Sequence, residues 1–171
     1  LGGRHPDTLI SICLGMLLQG KGDLAAAEPL LREALVARRE TLGNRHPSTL
    51  SSTDNLGMLL QDKGDYAAAE PLCRKAVEAW RETLGNRHPS TLSSINNLGG
   101  LLQDKGYYAA AEPLCRKALV ARRETLGNRH PSTLSSISNL GGLLRAKGDY
   151  AAAEPLCREA LEVERETLGG R

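Results

Sequence analysis

Phenylalanine is absent from this 171-residue chain, tryptophan occurs once, and aromatic residues make up 3% of it. A chain so poor in rings offers no platform on which the bases of a single strand could stack. Charge of one sign is missing too. The 22 Lys and Arg are interspersed with 20 Asp and Glu, for a formal net charge of +2. The clustered basic footprint of a nucleic-acid binder is therefore lacking, and nucleic acid is not expected as a partner. No apolar run approaches the roughly 20 residues of a membrane-spanning helix, so no membrane partner is expected either. No Asn-x-Ser/Thr glycosylation site occurs, and no signal-peptide pattern is visible.

What is present is repetition. Residues 88–129 run HPSTLSSINNLGGLLQDKGYYAAAEPLCRKALVARRETLGNR; residues 46–87 differ from them at seven of 42 positions and residues 130–171 at nine. Residues 5–45 are a looser copy, one residue short between Thr8 and Leu14. The chain is thus four tandem units, with Leu1 to Arg4 reading as the remnant of a preceding one. A fixed period of this length marks a repeat architecture, so the fold is that of one unit stacked on itself.

Within a unit the pattern is helical. Leu92, Ile95, Leu98, Gly99 and Leu102 recur at helix spacing, not at the alternation of a strand. Pro89 suits the first helical position, where no amide hydrogen is needed, and Gly106 closes the helix. A second helix follows, with the apolar stripe Ala69, Leu72, Cys73, Ala76, Val77, Trp80 and Leu84 in the second unit. Asp23, Asp65 and Asp149 stand where an N-cap acceptor belongs; Tyr107 takes that place in the third unit, which should begin less sharply. Gly43, Gly85 and Gly127 end the second helix. Each unit is a helical hairpin with one seam toward its own partner and another toward the next unit. The expected fold is all-α: a solenoid of four hairpins, eight helices in all, forming a curved superhelical ribbon over residues 1–171.

The internal spacing narrows the kind of hairpin. Leu56-Gly57-x-x-Leu60, Ala69-x-x-x-Cys73 and Ala76 resemble the tetratricopeptide (TPR) pattern L-G-x-x-Y, A-x-x-x-F, A. The residues recur as Leu98, Gly99, Leu102, Ala111, Cys115, Ala118, then as Leu140, Gly141, Leu144, Ala153, Cys157, Ala160, and in the first unit as Leu14, Gly15, Leu18, Ala27, Leu31, Ala34. Small residues at these places let two helices approach where larger side chains would overpack. Leu and Cys replace the aromatic residues of the pattern, and its late proline is absent. About eight residues beyond the usual TPR length of roughly 34 fall after Ala76. This longer form, with L-G-x-x-H-P between units and A-E-P-L in the second helix, is similar to the repeats of kinesin light chain.

The residue types that suggest chemistry recur once per unit, which argues against an active site within the array. His5, His46, His88 and His130 would sit about 10 Å apart in successive helical layers, against a zinc–nitrogen bond of about 2.0–2.1 Å. They are expected to begin helices, not to hold metal. Cys73, Cys115 and Cys157 share one position on successive second helices, too far apart for the roughly 7 Å that a disulfide permits. They read as buried small apolar residues, with Cys13 alone in a first helix. Four free thiols point to a reducing compartment, hence the cytoplasm. Pro29, Pro71, Pro113 and Pro155 should kink the second helices slightly on an outer face. Lys21, Lys63, Lys105 and Lys147 complement the negative ends of the first helices. Trp80 has Arg38, Arg122 and Glu164 as equivalents, which suggests a partly exposed ring. No nucleophile–base pair, phosphate loop or carboxylate pair stands out: no catalytic residue, cofactor or metal site is expected, and the chain does not read as an enzyme.

The remaining surface is one face of the first helices. Ser51, Asn55, Met58 and Asp62 share a helical face, flanked by Asp54 and Gln61. The equivalents are Ser93, Asn97, Gly100, Asp104, Asn96 and Gln103, then Ser135, Asn139, Gly142, Ala146, Ser138 and Arg145. The TPR resemblance implies that this is the concave face. Asn55, Asn97 and Asn139 would then form a column of amides, each with a donor and an acceptor to match an extended peptide backbone, as asparagine ladders do in some TPR superhelices. Cys13 breaks the column in the first unit. The Lys and Arg clamp with which chaperone-binding TPR domains hold a C-terminal carboxylate is not found at Asp54, Asn96, Ser138, Met58, Gly100 or Gly142. Arg145 alone meets the basic requirement of the acidic cargo peptides associated with kinesin light chain.

The sequence therefore reads as a non-catalytic scaffold that binds a partner protein or extended peptide along that face. Two alternatives stay open: a structural, self-stacking array without a peptide ligand, natural or designed, and the recognition part of a larger signalling protein or enzyme. Because any unit resembles any other, head-to-tail self-association is expected from ends that no polar element covers.

Overall fold

The second, third and fourth units begin with the same device. The Nδ1 atoms of His46, His88 and His130 accept the backbone N–H of Ser48, Ser90 and Ser132 at 3.2, 3.1 and 3.1 Å, and proline follows in the first turn. The histidine thus caps a helix that proline pre-organises. The second helices are capped by Asp23, Asp65 and Asp149, each accepting the N–H three residues on at 3.1 Å. Tyr107 provides no side-chain cap, as its chemistry requires. Between helices the chain turns through glycine. Gly106 has φ +78, and the N–H of Tyr107 reaches back to the carbonyl of Leu102 at 2.8 Å, the closure that a left-handed glycine allows.

The computed structural model describes the backbone of residues 4–169 and the side chains of residues 8–166. Among the described residues there are eight helices and no strand. They are α1 (Arg4–Gly20), α2 (Leu24–Leu42), α3 (Pro47–Asp62), α4 (Tyr66–Leu84), α5 (Pro89–Asp104), α6 (Tyr108–Leu126), α7 (Pro131–Lys147) and α8 (Tyr150–Gly169). The side chain of His5, and those of Leu1 to Arg4, which the repetition suggests as the tail of a preceding unit, lie outside the described side chains. The four prolines sit inside continuous second helices, on their exposed sides.

The chain divides into two compact units, Leu1–Gly85 and Asn86–Arg171. In the first, α1 pairs with α2 and α3 with α4, while α2 also packs on α3 and α1 touches α3. The second repeats this with α5·α6, α7·α8, α6·α7 and α5·α7. Neither α2 and α4 nor α6 and α8 pack on each other. The first helix of the later hairpin fills the space between them, so it buries two faces. Leu56, Leu60 and Leu98, Leu102 are buried as the periodicity predicts, and Leu59, Leu101 and Leu143 are fully buried as well.

The hairpin seam is closed by small residues. A Cβ on Gly57 would lie 2.8 Å from Cys73 Sγ, and one on Gly99 would lie 2.7 Å from Cys115 Sγ. Ala69, Ala76, Ala111 and Ala118 are all buried beside them. Salt bridges tie successive hairpins at the surface. Glu28 of α2 is held by Lys63 at the end of α3, and Glu112 of α6 by Lys147 at the end of α7, so these lysines do more than complement a dipole. Hydrogen bonds from Lys63 and Arg32 keep the Glu28 carboxyl below its ordinary pKa, and Lys147 and Arg116 do the same for Glu112.

Two expectations about single side chains are corrected. Trp80 is not partly exposed: it is 2% exposed, packs on Leu50 and Ala76, and donates its indole N–H to Asp54 Oδ2 at 2.7 Å. Cys157 is exposed, unlike Cys73 and Cys115, because among the described residues no further helix lies over the outer side of α8.

Candidate protein-interaction surface

The first-helix face differs between the two units. In the first unit, Met58 is 41% exposed on α3, next to a half-buried Asn55 whose Nδ2 lies 3.7 Å from Met16 Sδ on α1. Asp62 accepts from Gln19 Nε2 at 2.7 Å. Asp54 is half-buried and engaged by Trp80, and Gln61 is half-buried at the edge. Here the face is part apolar, because α1 carries Cys13 and Met16 where later first helices carry asparagine and glycine or methionine.

In the second unit the face is small and polar. Asn97 on α5 is half-buried, Asn139 on α7 is exposed, and Gly100 and Gly142 follow one turn on. These positions lie on helices in direct contact, and glycine raises nothing above the backbone there. A Cβ on Gly142 would meet no atom within 4 Å. Gln103 is half-buried, while Ser138 and Arg145 are exposed. An open cleft of about 330 Å³ runs along the last hairpin, bringing Ser138, Gly142 and Arg145 together with Leu161 and Glu164 of α8.

Asn96 does not belong to the open face. It is 6% exposed and donates through Nδ2 to Ser136 Oγ on α7 at 2.9 Å. The flank that spacing groups as one column therefore has three states: Asp54 accepts from Trp80, Asn96 bridges α5 to α7, and Ser138 is open.

A buried polar junction escapes the sequence reading. Arg122 is 4% exposed, and its Nη1 donates to the carbonyl of Ser132 and to Ser136 Oγ at 2.8 and 2.9 Å, while Nη2 donates to Ser93 Oγ at 2.9 Å. Arg38 makes the same pair of bonds to Ser48 O and Ser52 Oγ at 2.7 and 2.9 Å. Burial lowers the pKa of both guanidiniums; they remain cations, and their hydrogen bonds offset the desolvation. The signal lay in Ser52, Ser94 and Ser136, three buried hydroxyls on an otherwise leucine-rich flank that required polar partners.

A family profile described as tetratricopeptide repeat matches residues 7–69 and 93–166, and a second profile of the same description matches residues 49–90. No curated protein sequence matches the chain significantly. Among solved structures, the chain is similar to nearly identical TPR-like repeats from a Podosopora anserina protein assigned as a kinesin light chain. The identity is 28% with a TM-score of 0.77, over 98% of this chain and 80% of that one. A single-substitution variant of those repeats matches at 26% identity and a TM-score of 0.81, over the same shares. BtubC (BKLC) from P. vanneervenii matches at 23% identity and a TM-score of 0.82, over 96% of this chain and 65% of that one, a likeness of fold. Tetratricopeptide repeats generally mediate protein–protein interaction and are typically non-catalytic. No described helix is long and apolar enough to cross a membrane.

Proposed function

The chain belongs to the tetratricopeptide repeat family, and on that premise we propose that it is an interaction scaffold that holds an extended peptide against its first helices. The observation that carries this is the face of α5 and α7: Asn97 and Asn139 stand on contacting helices, each followed one turn on by a glycine, and beside Gly142 a Cβ would meet open space. An amide can donate to one peptide carbonyl and accept one peptide N–H, and Arg145 adds a cation for an acidic side chain at the end of the row. Binding of fluorescent peptides by anisotropy tests the reading. Asn97→Ala and Asn139→Ala should each weaken a bound peptide by about 1 kcal/mol, the usual net worth of a hydrogen bond, without a change in helicity. Undiminished affinity in the double variant would remove the amide row from the mechanism.

A second reading, self-association, is favoured by one face of α1. Ile10, Leu14 and Leu17 are 64%, 43% and 54% exposed, whereas their equivalents on α3, Ser52, Leu56 and Leu59, are buried under α2. The α1 stripe has the shape of a seat for a second helix, and α8 of another copy presents one, with Leu161 45% exposed. The ends are less interchangeable than the repetition implies. Where Arg38 and Arg122 meet serine, α8 offers Glu164 and α1 offers Ile10, a carboxylate against an alkyl group.

A further inference from the structure

Because α2 and α4 do not touch, a groove of about 350 Å³ opens between them. Its floor is apolar, made by Leu50 and Ala76, with Thr53 alongside; Leu50, Ala76 and Thr53 are each 5% exposed or less. Arg39 of α2 stands on one rim and Lys75 of α4 on the other. At the end of the groove Arg45 and Glu82 satisfy each other at 2.9 Å. Glu78 is also on the α4 rim, but among the described residues no carboxylate comes within ion-pair distance of Arg39 or Lys75.

The second unit shows what this pair of positions does when it is complementary. Arg39 corresponds to Arg123, and Lys75 to Glu159. There Arg123 Nη2 holds Glu159 Oε2 at 2.5 Å, with both side chains about one-third exposed. The same backbone arrangement thus presents an arginine to a carboxylate in one unit and an arginine to a lysine in the other. The charge reversal at one position removes the internal ligand and adds a second cation in its place.

We propose that the groove between α2 and α4 is a docking site for an acidic segment of a partner polypeptide. A Glu or Asp carboxylate takes the place against Arg39 that Glu159 takes against Arg123, with Lys75 as the second donor, and an adjacent apolar side chain rests on Leu50 and Ala76. Two like charges on the rims of one open groove attract an anion more strongly than either would alone, and a guanidinium binds a carboxylate through directed, charge-assisted bonds. The apolar floor favours a peptide over a bare inorganic ion. This site is built from second helices and does not depend on the first-helix face.

The test uses the peptide acetyl-Leu-Glu-Leu-Glu-Leu-Glu-amide and its glutamine counterpart, read by the Nε–H resonances of Arg39 and Arg123. The acidic peptide should shift Arg39 saturably, with weakening by salt, and the glutamine peptide should not. Lys75→Glu supplies the missing carboxylate internally and should reduce the response at Arg39 at least tenfold. Glu159→Lys should create a response at Arg123 that the native chain lacks. Should Glu159→Lys disturb folding, Arg39→Gln provides the independent check: the acidic peptide should shift the methyl resonances of Leu50 and Ala76 in the native chain and leave them unmoved in this variant, with an unchanged helical spectrum. Equal binding to Lys75→Glu would overturn the proposal. So would acetate or phosphate shifting Arg39 as much as the peptide at equal concentration, which would leave a small-anion site and no docking groove.

Discussion

Gly99→Ala adds one methyl group to α5 at the tightest point of its hairpin. The new Cβ would lie 2.7 Å from Cys115 Sγ on α6, a thiol that is 1% exposed. Cysteine has one side-chain torsion, and its staggered alternatives are about 120° apart, so the sulfur cannot give way by a small adjustment. Overpacking of this kind costs about 1–3 kcal/mol. Against it stands a gain of up to ~1 kcal/mol from replacing glycine by alanine inside a helix, so the net effect should be a loss of about 1 kcal/mol. The last hairpin supplies a control within the same chain. A Cβ on Gly141 would lie 3.4 Å from Cys157 Sγ, an ordinary contact with an exposed residue. Gly141→Ala should therefore keep the propensity gain and raise stability by about 0.5–1 kcal/mol. The two substitutions, chemically identical and at equivalent positions, should move the melting temperature in opposite directions, each by about 2–4 °C per kcal/mol. Urea titrations followed by circular dichroism give the free energies. Because a repeat array can unfold in stages, amide exchange in α5 and α6 should locate the loss. Cys115→Ala in the Gly99→Ala background should recover most of it, a coupling that a double-mutant cycle isolates. If Gly99→Ala matches Gly141→Ala, or is indifferent to Cys115, the close-approach account of the seam is wrong.

Two further outcomes follow from the same packing. Burial pushes the Cys73 and Cys115 thiols up to about 11 from 9.0, with the Asp54 and Glu70 carboxylates contributing at Cys73 and Glu112 at Cys115. Their contribution to stability is full below about pH 9 and is lost as pH rises toward 11, so an alkaline limb should flatten in the Cys73→Ala/Cys115→Ala variant; native alkylation at pH 8 should modify Cys13 and Cys157 and spare the buried pair. Sedimentation velocity tests the α1 stripe: Glu164→Leu should strengthen concentration-dependent association and Leu14→Glu should abolish it, whereas a strict monomer in the Glu164→Leu variant would remove the end-to-end reading.

The fold was legible because it is written four times. The period located the units, and the fixed places of proline, aspartate and glycine located both ends of most helices. What one unit cannot display is its neighbour. Leu59, Leu101 and Leu143 lie off the stripe that periodicity selects, yet they are fully buried; for Leu59 and Leu143 the reason is that α3 and α7 are each clasped by their own partner and by the preceding second helix, α2 and α6. Trp80, Arg38 and Arg122 occupy a column whose composition signals a surface. Their burial depends on the serine hydroxyls of α3 and α7, and on the Asp54 carboxylate, across a seam that hydropathy does not encode.

The candidate site was legible only as a register. Spacing placed Asn55, Asn97 and Asn139 at one position of the repeat, and it grouped Asp54, Asn96 and Ser138 as their flank. Whether such a side chain is open depends on what the adjacent hairpin offers it. Asn96 turns inward because Ser136 accepts its amide, whereas Ser138 is left exposed. In an array of near copies, identity between units reports little beyond shared ancestry and shared packing. The substitutions that separate the copies carry the local information, because each is made on a nearly constant background. Lys75 against Glu159 is such a difference: the helices, the arginine and the groove position correspond, and a single charge decides whether the arginine is satisfied from within the chain or presented to a partner.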